Sequence, residues 1–211
     1  MRRCVITIAL MSVVLMSRGM DYDQLISATI CACDSPDLLL LPAFTNDVQV
    51  YRIGCSNSVG RCAADLSTSI SLMHRLDHDE ECVGNDACFR RHQELVSNIV
   101  DCAGLEEGSW IRYAAAVEYM TGLNYNNQKE RAYALSTNMI ERIIVRPPEM
   151  ESTNYWKSMS RWMGCSNETF LTVFRLNAAI WCAENGRNEE ATELTNSLPV
   201  SAVEIFRDEL K

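Results

Sequence analysis

Proline and glycine are scarce, five and nine among 211 residues. Collagen-like repeats and proline- or glycine-rich low-complexity chains are thereby excluded, and the few breakers punctuate long uninterrupted stretches. Basic residues are outnumbered, 19 against 28 acidic, for a formal charge of −9. The densest basic cluster is only Arg90 and Arg91. An acidic surface without a basic block repels phosphate, which argues against nucleic-acid binding and a polybasic membrane patch. Long apolar runs are also missing. A spanning helix needs about 20 apolar residues, whereas Val5–Met16 is too short and Leu38–Leu41 is closed at once by Pro42. No membrane span is expected. The chain has no Cys-x-x-Cys, His-Glu-x-x-His, nucleophile elbow, phosphate-cradling glycine loop or dinucleotide fingerprint, so no cofactor is expected.

What is present is a folded chain's composition, 47% apolar and 22% charged, together with ten cysteines. That many cysteines point to an oxidising compartment. Residues 1–19 read as a secretory signal peptide: basic Arg2 and Arg3, the uncharged run to Met16, and small Ser17 and Gly19 before a cleavage point at Met20. Its removal takes away three arginines and no acid, leaving a still more acidic mature chain. The expected localisation is extracellular. Asn167-Glu168-Thr169 is an acceptor sequon, which makes Asn167 the candidate glycosylation site.

Helical periodicity dominates and alternating strand-like runs are almost absent. Asn85–Ala103 places Cys88, His92, Leu95, Ile99 and Cys102 on one face, with Asn85 as cap and Gly104 as terminator. Ser58–Leu76 carries Val59, Cys62, Leu66, Ile70 and Met73. A helix capped by Ser109 turns Trp110, Tyr113, Val117 and Met120 inward before Gly122, and Asn127–Arg146 follows with Ala132, Leu135, Met139 and Ile143. Thr153–Met163, Ser166–Asn185 and shorter segments at 188–197 and 201–210 complete the pattern. Residues 37–55 are ambiguous between strand, linker and helix. The fold class is therefore all-α, a disulfide-stapled helical bundle of roughly six to eight helices. Pro147-Pro148 divides it into a cysteine-rich helical domain (20–146) and a helical C-terminal subdomain (147–211), unless 20–211 is a single domain.

Cleavage before Met20 removes Cys4 and leaves Cys31, Cys33, Cys55, Cys62, Cys82, Cys88, Cys102, Cys165 and Cys182 as disulfide candidates. Nine is odd, so one is a free thiol or joins a second copy in a disulfide-linked homodimer, and connectivity cannot be read from spacing. Cys88 and Cys102 would lie about 21 Å apart on one helix at 1.5 Å per residue, far beyond disulfide reach. Cys165 and Cys182 are separated in the same way, so these sulfurs should join one helix to another. Cys82, Cys88 and Cys102 have a loose similarity to the cysteine-helix modules of the glial-factor co-receptors. Arg75, however, stands where the first cysteine of that pattern belongs.

The segment from Met73 to Cys82 holds two of the three histidines. His78-Asp79 before a cysteine resembles the histidine–aspartate pair of secreted phospholipases of the A2 type, which implies a histidine base and a calcium-binding aspartate. It departs from that pattern in having two residues between Asp79 and Cys82, Arg75 three residues before His78, and no glycine-rich calcium loop. His74 and His78, one turn apart, have metal-pair spacing, but a solvated acidic helix end is the simpler reading. His92 on its apolar stripe reads as a half-buried packing residue. Trp110, Trp156, Trp162 and Trp181, with Tyr113, Tyr155, Phe170 and Phe174, suit an aromatic core or an enclosed apolar ligand.

With no complete catalytic constellation, the expectation is a secreted, non-catalytic binding protein, its partner an extracellular protein or an apolar ligand. The alternatives are a small calcium-dependent hydrolase using His78 and Asp79, and an apolar-ligand carrier.

Overall fold

The computed structural model describes residues 20–34, 42–78, 86–147, 170–200 and 203. Within them the chain is all-helical: α1 (Tyr22–Asp34), α2 (Pro42–Gly54), α3 (Ser58–His78), α4 (Asp86–Val100), α5 (Trp110–Tyr125), α6 (Lys129–Val145), α7 (Phe170–Glu184) and α8 (Asn188–Asn196). Eight helices and no strand among the described residues bear out the all-α bundle. The expected segments 153–163 and 201–210 lie almost wholly outside them.

α5 is the centre. Every residue from Trp110 to Glu118 is buried, the charged Arg112 and Glu118 included, and α3, α4, α6 and α7 pack around the helix. α1 and α2 lean on α3, and α8 on α7. Phe170, Val173 and Phe174 of α7 share one core with Leu66 and Ile70 of α3, Ile99 of α4 and Tyr113 of α5.

The start of the bundle was not anticipated. α1 opens with a reciprocal cap: Gln24 N–H donates to Asp21 Oδ1 at 2.8 Å, and Asp21 N–H to Gln24 Oε1 at 2.9 Å, satisfying two orphan donors of the first turn. Residues 42–54 are helical rather than strand or linker. Pro42 stands in the first turn, where its missing N–H costs nothing. Phe44, Val48 and Tyr51 recur four and three apart and turn inward.

Two glycines expected to end helices do something else. α4 ends at Val100, four residues before Gly104, and Cys102 lies in the loop beyond it. α5 runs through Gly122 to Tyr125. A Cβ at Gly122 would stand 2.8 Å from His92 Nε2 and 2.3 Å from Gln93 Nε2, so glycine there admits α4 close to α5. Gly186, at φ +72°, does mark the end of α7.

Polar side chains stitch the layers. The Thr29 and Ser67 hydroxyls meet at 2.7 Å between α1 and α3. Asn124 Nδ2 of α5 donates to Asn177 Oδ1 of α7 at 2.7 Å, and Asn177 Nδ2 to Ser136 Oγ of α6 at 2.9 Å. On the outer face Tyr133 stacks on Trp181 with centroids 4.1 Å apart, and the Arg187 guanidinium lies over both rings.

Candidate functional site

A half-open cleft of about 360 Å³ lies where α3 ends, α4 begins and α5 runs out. Leu76, Asp86, Phe89, Arg90, Tyr125 and Gln128 are among the residues that line it. Phe89 and Tyr125 form an aromatic wall with centroids 6.5 Å apart and planes inclined by 26°. The Tyr125 hydroxyl donates to the Leu76 carbonyl at 3.3 Å, which ties the end of α5 to the last turn of α3. Arg90 and Asp86 supply one charge of each sign. The lining is nearly half polar and the cleft is open to solvent.

His78 is the last residue of α3, and its side chain lies outside the described residues, as do Asp79 and the rest of the His78-Asp79 segment through Cys82. Asn167, Cys165, Trp156 and Trp162 lie outside them too. The other two histidines are buried. His74 is 4% exposed, so a solvated helix end does not describe it: it falls on the inward face of α3 with Ile70 and Met73. His92 is wholly buried rather than half-buried. Its Nδ1 lies 3.2 Å from the Ser69 carbonyl of α3, and its Nε2 lies 3.2 Å from the Glu118 carbonyl of α5. Burial holds the ring's pKa below its ordinary value, against the pull of both carbonyls. As a neutral imidazole the ring can donate to one of these two carbonyls, and it sits packed between α3 and α5. Among the described residues, no cluster of three or more His, Cys, Asp or Glu is arranged to hold a metal ion.

The cysteines scatter over the bundle. Cys31 and Cys33 belong to the last turns of α1, with side chains outside the described set. Cys55, after α2, has its Sγ 3.9 Å from the Tyr51 hydroxyl; burial and that thiol push Tyr51 up to about 12. Cys88 is half-buried on α4. Cys182, buried on α7, meets Tyr133 of α6 and Glu190 of α8. Cys62 and Cys102 are the exception to this scatter: across the gap between α3 and the loop after α4, the Cys102 thiol lies close enough to raise the Cys62 pKa. Among the described residues no two sulfurs are bonded.

Sequence periodicity missed the residue that holds this loop. Arg112, 7% exposed on α5, donates Nη1 to the Val100 carbonyl and Nη2 to the Cys102 and Leu105 carbonyls at 2.9 and 2.8 Å. It thus closes the carboxyl end of α4, where the helix dipole favours a cation. Its signal is an arginine within an otherwise apolar helix entrance, Trp110-Ile111-Arg112-Tyr113, where only a group with acceptors to satisfy is tolerated. Nearby, Arg52 of α2 pairs with Asp65 of α3.

Comparison with protein-family models, with curated proteins and with solved structures finds no match for this chain. Among the described residues no helix is long and apolar enough to cross a membrane.

Proposed function

We propose that this chain is a secreted, disulfide-bonded helical protein that acts by binding a basic extracellular protein rather than by catalysis. The observation that supports this reading best is the outer face of α2. Val50 and Ile53, one turn apart, are 64% and 81% exposed, and among the described residues Ile144 and Val145 at the end of α6 are a second apolar pair exposed to a similar degree. Exposed apolar neighbours mark interaction surfaces more often than isolated ones do. The formal charge of −9 favours a cationic partner and speeds its approach.

The test is expression with residues 1–19 in secreting cells, followed by binding of the labelled, purified protein to cells of its own source. The expected result is a chain in the medium beginning at Met20 with saturable binding that weakens as salt rises. The double variant Val50→Asp/Ile53→Asp should lose that binding while keeping its thermal transition. Retention inside the producing cells, or binding indifferent to the double variant, would defeat the proposal. A second reading is an apolar-ligand carrier, for which the aromatic wall of Phe89 and Tyr125 is the candidate surface. That reading requires co-purifying lipid and a shift in aromatic emission on its removal, both lost in Phe89→Asp.

A further inference from the structure

We infer that Cys62 and Cys102 form a disulfide that ties the first turns of α3 to the loop leaving α4. This rests on the secretory reading only for its oxidant.

The geometry of the loop brings the two cysteines to the same face of α3. The Cys102 thiol lies close enough to the Cys62 thiol to raise its pKa. The loop also lies directly on the face of α3 that carries Cys62: Ser58 is one turn before Cys62, and a Cβ built on Gly104 would stand 2.6 Å from Ser58 Cβ and 3.8 Å from Cys102 Sγ. Only a glycine allows the chain so close. Arg112 then fixes the loop from the other side through the carbonyls of Val100, Cys102 and Leu105. Cys102 is therefore held at its backbone, with its sulfur turned to Cys62. Two of the other described cysteines have different neighbours, Tyr51 for Cys55 and Tyr133 with Glu190 for Cys182.

The chemistry is thiol–disulfide exchange with a low-molecular-weight disulfide such as oxidised glutathione. One thiolate attacks that disulfide and releases one glutathione thiolate. The second cysteine then attacks the mixed disulfide and releases the other. Two S–H bonds give way to one S–S bond, and the two electrons and two protons lost by the pair leave with the two reduced glutathiones. Burial and the Cys102 thiol push the Cys62 thiol up to about 12, so its thiolate is scarce in the folded, reduced chain. The half-exposed Cys102 opens the exchange, and the bridge closes as the chain folds.

Trypsin cuts after Arg61, Arg75, Arg91 and Arg112, which isolates Cys62 on the peptide 62–75 and Cys102 on 92–112 with no other cysteine on either. Protein from the medium of secreting cells, and the same chain refolded in a reduced and oxidised glutathione mixture, would be alkylated, digested without reduction and weighed. The expected product in both is the two peptides joined, two hydrogens lighter than their sum, and in Cys62→Ser the 92–112 peptide should carry the alkyl label. Either peptide joined to another cysteine, or both labelled in the refolded chain, would overturn the assignment. A chain found reduced inside cells that forms this pair on refolding would leave the assignment standing and remove the secretory reading. A secreted, oxidised chain with a different pairing would do the reverse.

Discussion

Replacing Arg112 with methionine tests how the loop between α4 and α5 is held. The substitution keeps most of the side chain's volume and removes the three donors that reach the carbonyls of Val100, Cys102 and Leu105. Cys102 keeps a partner, because Leu105 N–H also donates to its carbonyl, at 3.2 Å. Val100 and Leu105 are 5% and 4% exposed, so water reaches their carbonyls poorly. Each orphaned acceptor costs about 1–3 kcal/mol. Against this, a buried cation exchanged for an apolar chain recovers part of its desolvation cost. The balance is a loss of about 2–3 kcal/mol, and at about 2–4 °C per kcal/mol for a chain of this size the thermal midpoint should fall by roughly 5–10 °C. Arg112→Lys should fall between, since one compact ammonium cannot span three carbonyls as the guanidinium fork does. Urea unfolding followed by far-ultraviolet circular dichroism measures the change, with an unaltered m-value as the sign that only stability has moved. A methionine variant as stable as the parent, within about 0.5 kcal/mol, would refute the view that Arg112 closes α4.

Cys102→Ser should cost the oxidised protein about 4 kcal/mol through a lost closed loop of about 40 residues, and the reduced protein far less, a difference that calorimetry with and without reductant would show. Gly122→Ala should destabilise by about 1–2 kcal/mol, although alanine is the better helix former, because the new Cβ meets the fixed His92 ring at 2.8 Å; a stabilised variant in urea unfolding would contradict the close-approach argument. His92 stays neutral in the folded chain to a lower pH than in the unfolded chain, since burial lowers its pKa from 6.5. Stability should therefore be full above about pH 6.5 and decline as pH falls below it, by at most about 1.4 kcal/mol per pH unit for one proton. His92→Gln should lack that share of the acid slope in unfolding measured from pH 7 to 5.

The helices were legible in the sequence where apolar residues alone set the period. α3, α6 and the inward face of α5 follow from residues such as Leu66, Ile70, Met139 and Tyr113, all of them buried. Residues 42–54 were not legible, because Val48, Val50 and Tyr51 are as suited to a strand and only packing of Phe44, Val48 and Tyr51 on α3 decides the matter. α1 left a readable sign that went unread: Asp21 and Gln24, three apart, are the two halves of a capping box. The cleft was not legible, because its wall comes from Phe89 and Tyr125 on separate helices.

Glycine misled for a reason that reaches the cysteines. A glycine in a helical pattern signals either a chain that must turn or a chain that must be approached, and the sequence looks alike in the two cases. Gly186 turns; Gly104 and Gly122 are approached, by Ser58 and by His92 with Gln93. A terminator at Gly104 would carry α4 past Val100 and set Cys102 on the helix, with its sulfur on the same face as Cys88. With the helix ended at Val100 and the loop drawn back over Ser58, Cys102 belongs instead to α3 and to Cys62. The residue that enforces this is Arg112, a cation buried in the central helix because three carbonyls of the returning loop need it. One long-range polar contact, which no periodicity encodes, thus decides where a helix stops and which cysteines can meet.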